Sequence, residues 1–104
     1  MLARTWHGWT SPAKADAYEN LLRREVFPAI AARTGQGLTR IDLLRRPDGE
    51  EVEFMTIMWF ADQAALDRFT HGNGEAAYVP AAARAVLQHF DDRSRHYELR
   101  HRQE

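Results

Sequence analysis

The run Val52–Phe60, Val-Glu-Phe-Met-Thr-Ile-Met-Trp-Phe, limits what this chain can become more than any other segment. Its β-branched and aromatic content makes it a strand. Alternation puts Val52, Phe54, Thr56, Met58 and Phe60 on one face and Glu53, Met55, Ile57 and Trp59 on the other. Apart from Glu53, both faces are largely apolar. A sheet with helices on one side and water on the other alternates apolar with polar. This strand does not, so each of its faces needs a cover.

The rest of the chain supplies one such cover. Leu2–Trp9 reads as a first strand, ended by Gly8 and the Thr10-Ser11-Pro12 run. Thr10 or Ser11 is placed to cap a helix with Pro12 in its first turn. That helix runs from about Pro12 to Arg33, because Ala15, Tyr18, Leu22, Val26 and Ile30 form one apolar face. Pro28 kinks or restarts it after Phe27. Gly35 and Gly37 end it. Leu38–Arg46 is a second strand. The Pro47-Asp48-Gly49 turn joins it to Val52–Phe60 as an antiparallel hairpin. Asp62 caps a short helix through Thr70, with Ala65, Leu66 and Phe69 inward. Pro80 starts another short helical run, and Phe90–Arg100 reads as the last strand.

The order is therefore βαββαβ with a helical insert before the last strand. This is the ferredoxin-like, split βαβ arrangement of the α+β class, with the first and third strands central. The helices cover one face of the antiparallel sheet. The other face is covered either by a second copy, sheet on sheet, or by the C-terminal segment folding back. A two-fold homodimer through the sheet face is the simplest closed solution.

Composition narrows the function classes. A chain of 104 residues is one domain, 1–104, by default. With a net charge of −1, no global field recruits nucleic acid or anionic lipid. The C-terminal arginines Arg93, Arg95, Arg100 and Arg102 are offset by Asp91, Asp92, Glu98 and Glu104, so no nucleic-acid partner is expected. Cysteine is absent, which removes disulfides and thiolate metal sites. No compact His/Asp/Glu ligand motif is present, so no metal is expected. No apolar run approaches the length of a membrane span, and no leader-like start is apparent. The absence of cysteine fits a cytoplasmic location, and a mean hydropathy of −0.58 fits a soluble domain.

Spaced aromatics and small residues then carry a resemblance. These are Trp6 and Gly8, Tyr18, the stretch from Trp59 through Phe69 with Gly72, Ala77-Tyr78 with Pro80, and His96-Tyr97-Glu98. With this pattern the chain resembles the dimeric α+β barrel superfamily, and within it the antibiotic biosynthesis monooxygenase-like domains, over nearly its whole length. The resemblance implies a dimer of ferredoxin-like subunits, each with a pocket between sheet and helices. It also implies oxidation of phenolic, aromatic or polyketide-like molecules by molecular oxygen, with no cofactor. The haem-degrading branch is disfavoured. The first strand has no Asn, and the segment after the third strand offers Phe69 and Tyr78 rather than a Trp and His pair.

Such chemistry needs an apolar pocket, one base and a donor for the substrate anion. His96 on the last strand is the first candidate base. Its plainer role is a half-buried strand histidine bonded to backbone or to a carboxylate such as Glu98. His7 is the second candidate. Trp6 and His7 point to opposite faces of a central strand, so one faces the helices and the other does not; the sequence leaves open which. Trp6, Trp59, Phe69 and Tyr78 are the candidate substrate-binding aromatics, with ordinary core packing as the competing role. Arg4 and Arg40 sit on strands; an inward arginine could hold a phenolate or carboxylate, though such a residue more often forms a surface or interface ion pair. Two further functions compete with an oxygenase: a non-catalytic binding or stress-response module, and a structural dimer whose cavity is filled by side chains.

Overall fold

The computed structural model describes residues 1–104. Strands β1 (Leu2–Thr10), β2 (Leu38–Asp48) and β3 (Glu51–Phe60) pair in the order β2-β3-β1. Two short strands, β4 (His89–Phe90) and β5 (Arg95–Glu98), share the free edge of β1. All pairings are antiparallel. The helices α1 (Ala15–Leu21), α2 (Phe27–Thr34), α3 (Gln63–Thr70) and α4 (Ala81–Arg84) pack on one side of the sheet. This is the ferredoxin-like α+β arrangement expected from the sequence.

The β1–β3 register runs unbroken from Leu2↔Phe60 to Thr10↔Val52. It decides the orientation that the sequence left open. Arg4, Trp6 and Gly8 lie opposite Met58, Thr56 and Phe54 on the helix side. Thr5, His7 and Trp9 lie opposite Ile57, Met55 and Glu53 on the outer side. Phe54, Thr56, Met58 and Phe60 are buried, whereas Met55, Ile57 and Trp59 are only partly so. On the outer face Leu44 is 50% exposed and Tyr97 52%. The C-terminal segment reaches that face only at Trp59, through Arg102, and leaves Leu44 and Tyr97 open.

Three local expectations are corrected. Ser11 makes no side-chain cap; a 3₁₀ turn at Pro12–Lys14 opens the helical segment instead. The single helix to Arg33 is divided by a π turn at Leu22–Val26, closed by the Phe27 N–H donating to the Leu22 carbonyl. Pro28 follows at once and has no N–H for the next intrahelical bond, which favours the wide turn before it. The last strand is broken as well. Four residues, Asp91–Ser94, stand opposite Trp6 and His7, as a bulge. There the Asp91 carboxylate accepts from the His7 backbone N–H at 3.1 Å, and the Asp91 carbonyl accepts from Trp6 Nε1 at 2.9 Å. The Asp91 N–H still donates to the His7 carbonyl at 3.0 Å, so side-chain contacts replace the ladder there only in part.

The hairpin turn is tighter than the sequence suggests. Asp48 pairs with Glu51, leaving Gly49 and Glu50 as the loop, with Gly49 at φ 61°. Pro47 stays in β2, tolerated because β2 is an edge strand. Asp62 caps α3 as expected, accepting from the Ala65 N–H at 2.9 Å.

The core forms two clusters. Ala15, Tyr18, Leu22, Phe54, Val79, Ala83 and Leu87 make one; Ile30, Met58, Phe60, Ala65, Leu66 and Phe69 make the other. Tyr18 and Phe54 meet edge-on at 4.8 Å. The π turn lies over the seam between the clusters.

Gly37, before β2, fixes how α3 docks. Its φ is 101°, and a Cβ there would collide with the Ala65 Cβ in the first turn of α3. The Gly37 carbonyl also accepts from the Ala61 N–H at 2.7 Å. Gly37→Ala therefore combines a left-handed backbone with overpacking. It is expected to cost about 2–4 kcal/mol in denaturant unfolding, whereas Gly35→Ala, with open space around the added methyl, should cost less.

Candidate functional site

A cavity of about 60 Å³ lies at the seam of the two core clusters. The sheet supplies its floor through Arg4, Trp6, Thr56 and Met58. The π turn and α2 supply Leu22, Val26, Phe27 and Ile30, and Phe69, Tyr78 and Val79 close the remaining side. The wall is mostly apolar; Arg4, Thr56 and Ser94 are its polar members beside the two tyrosines, Tyr18 and Tyr78. A wider recess of about 330 Å³ adjoins it between α2 and the Tyr78–Ala82 segment. The two share Val26, Ile30, Tyr78 and Pro80 as a partition. Tyr78 is 55% exposed, so it is the least confined part of that partition.

Arg4 is the unusual member. It is 4% exposed, and a buried guanidinium is normally matched by a carboxylate. Here Nη1 donates to the Gly74 carbonyl at 3.1 Å and Nη2 to the Ala76 carbonyl at 2.9 Å. Nη1 also donates to His96 Nε2 at 2.6 Å. Its charge feels Glu75 at longer range, but no carboxylate is in ion-pair contact with it. An arginine can only donate, so this contact makes His96 Nε2 the acceptor and leaves the ring proton on Nδ1.

His96 lies opposite Arg4 on the helix side, and its backbone N–H donates to Glu75 at 2.8 Å. Burial, and then the Arg4 charge, hold its pKa below the ordinary 6.5; Glu75 and Asp67 oppose them. Glu75 is itself held below the ordinary carboxylate range, first by that N–H. Tyr18 is 1% exposed. Burial alone pushes its phenol upward, with no hydrogen bond contributing.

The structure thus brings Trp6, Phe69 and Tyr78 together around one cavity. His96 stands behind Arg4 and does not itself line that wall. His7 and Trp59 lie elsewhere. With Trp6 inward, His7 faces outward, bonded to Asp91 at 2.8 Å with Glu53 at 3.9 Å. With Met58 and Phe60 inward, Trp59 also faces outward, its Nε1 donating to Asp42 at 3.1 Å and its ring under Arg40 and Arg102. Arg4 and Tyr18 gain the weight that these two lose. A signal for Arg4 was present, since it sits two residues before Trp6 on the same strand face. No three His, Cys, Asp or Glu side chains converge as a metal-ligand set.

Two solved structures resemble this arrangement. PA3566 from Pseudomonas aeruginosa matches with a TM-score of 0.55 at 24% identity, covering 95% of this chain and 94% of its own. A single-residue variant of SnoaB, a cofactor-independent oxygenase from Streptomyces nogalater, matches with a TM-score of 0.50 at 22% identity, covering 99% of this chain and 95% of its own. The chain shares its fold with both. At these identities the likeness is one of fold. No protein-family model matches the chain, and no curated protein does. No helix is long and apolar enough to cross a membrane.

The lowered His96 pKa carries a sign that can be measured. Between the folded value and 6.5 the unfolded chain binds more protons at this site than the folded one. The stability from neutral His96 is therefore full above 6.5 and is lost as pH falls toward the folded value. Urea midpoints from about pH 8 to about pH 5 should fall less steeply for His96→Gln than for the parent. Parallel curves would mean that His96 titrates normally.

Proposed function

We propose that this protein is a small oxygenase-like enzyme that oxidises an aromatic or polyketide-like molecule with molecular oxygen, using no metal or flavin. The observation that carries this reading is Arg4: a buried cation without a contacting carboxylate, in the wall of an otherwise apolar cavity. The fold shared with SnoaB supports it. In such a reaction a phenol or enol loses a proton, and the electron-rich anion then reduces oxygen. Arg4 is placed to stabilise that anion in a medium where charge interactions are strong. His96, neutral near pH 7, accepts a hydrogen bond from Arg4. It either positions the guanidinium or, once the incoming substrate hydroxyl has drawn Arg4 aside, takes that hydroxyl's proton on Nε2 and so forms the anion. His7 faces the outer side of the sheet and has no part in this cavity.

The cavity holds far less than the roughly 300–1,000 Å³ of a usual ligand pocket. A substrate would place one ring between Trp6 and Phe69 and extend past Tyr78 into the neighbouring recess. The same small volume, with His96 Nε2 already engaged, favours a second reading: a small-molecule-binding module without turnover. Oxygen uptake over a panel of phenols and quinols distinguishes the two. The enzyme reading expects uptake with at least one of them, falling about 10²–10⁴-fold in His96→Ala. Tight binding of several with no uptake would leave the binding module.

We further propose that the outer sheet face closes against a second copy. Leu44, Met55, Ile57, Trp59 and Tyr97 give that face an apolar area whose only described cover is Arg40 and Arg102 over Trp59. Sedimentation should show a dimer for the parent and a folded monomer for Ile57→Glu. A parent that sediments as a monomer would end this proposal.

A further inference from the structure

Arg33 marks a feature that the oxidation chemistry leaves unused. Its guanidinium lies 4.7 Å from the Tyr78 ring centroid and 5.3 Å from that of Phe69. Arg4 also lies 5.3 Å from the Phe69 centroid. Two guanidinium groups therefore share one aromatic ring, one of them buried and the other at the surface. Neither has a carboxylate in ion-pair contact. The acids nearest in the fold are Glu75, which acts on Arg4 at range, and Glu25, in the wall of the wider recess.

Between these groups is a recess of about 140 Å³ that includes Arg4, Arg33, Phe69, His71 and Tyr78 in its wall. It shares Arg4, Phe69 and Tyr78 with the inner cavity. An apolar chamber thus adjoins a cationic one. The planar fork of Arg33, held against two ring faces, suits a planar two-oxygen anion.

We propose that this recess seats a carboxylate of the ligand, so that the protein selects amphipathic acids: an apolar, ring-bearing body in the cavity and a carboxylate held by Arg33 with the field of Arg4 behind it. The inference rests on the cavity being a ligand site and not on any turnover there.

Anaerobic calorimetry with 2-naphthoate and its neutral counterpart 2-naphthamide tests it without involving oxygen chemistry. The acid should bind about tenfold tighter than the amide, the order of effect of one charge-assisted hydrogen bond. The preference should weaken with added salt. Arg33→Met keeps an apolar stem over Phe69 and Tyr78 and changes an exposed residue, so folding is not at stake. It should bring acid and amide to near equality, while Arg33→Lys retains part of the preference. Equal binding of the two probes by the parent, or an unchanged preference in Arg33→Met, would overturn the carboxylate seat and leave the ligand cavity standing. Binding of neither probe would remove the cavity reading and this inference together.

Discussion

The pairing of β1 with β3 sets the phase of everything else in this protein. Nine consecutive pairs, from Leu2↔Phe60 to Thr10↔Val52, lock two central strands with no bulge between them. A slip of one residue would exchange the faces, taking Arg4 and Trp6 out to the far side and bringing Thr5 and His7 in. Phe54, Met58 and Phe60 would keep their places, because β3 stays paired with β2. Losing the cover that Trp6 gives the first core cluster is what holds Arg4 inside, since a guanidinium gains nothing from burial on its own account.

Given that phase, the polar end of the cavity becomes part of the framework. Arg4 ties β1 to the carbonyls of Gly74 and Ala76, which belong to the stretch between α3 and α4. Glu75, between those two residues, accepts from the His96 N–H on β5. Ala76 bridges to Arg93, and the Ser94 N–H donates to the Glu75 carbonyl at 2.8 Å. The irregular segment that carries Tyr78 is thus anchored by hydrogen bonds at its start. Val79 and Ala83 then bury it against the first cluster. Tyr78 lies between two fixed points and remains largely exposed, which suits a side chain that moves while its backbone does not.

Much of the fold was legible from periodicity and turn chemistry. The two-faced Val52–Phe60 run, the Pro47-Asp48-Gly49 turn and the Asp62 cap led to β2, β3 and α3 because each is a local effect. What was not legible depended on partners far along the chain. Asp91 breaks the last strand by occupying ladder positions opposite Trp6 and His7, and no pattern within residues 90–100 announces that. The site followed the same division. Trp6, Phe69 and Tyr78 were named as candidate substrate-binding aromatics, and they do meet. Which of Trp6 and His7 faces the helices stayed open, as did the side taken by Trp59, because adjacent residues on a strand point opposite ways and the absolute phase came only from the ladder. Arg4 was read as one of several strand arginines because its lack of a carboxylate partner is a fact of three dimensions.

The division of the long helical segment has a consequence for how its two halves fit one core. From Ala15 the inward positions Tyr18, Leu22, Val26, Ile30 and Thr34 advance by three, four, four, four and four residues. That averages about 3.8 residues a turn, more than the 3.6 of a regular α-helix. An unbroken helix would drift until Ile30 and Thr34 swung away from the sheet. The π turn at Leu22–Val26 absorbs the surplus. The spacing of apolar letters before Pro28 and the missing N–H of Pro28 itself thus ask for the same irregularity. The widened turn falls where Leu22 and Val26 wall the cavity, so the hollow between the two core clusters is where a helix with one residue too many meets a sheet with none to spare.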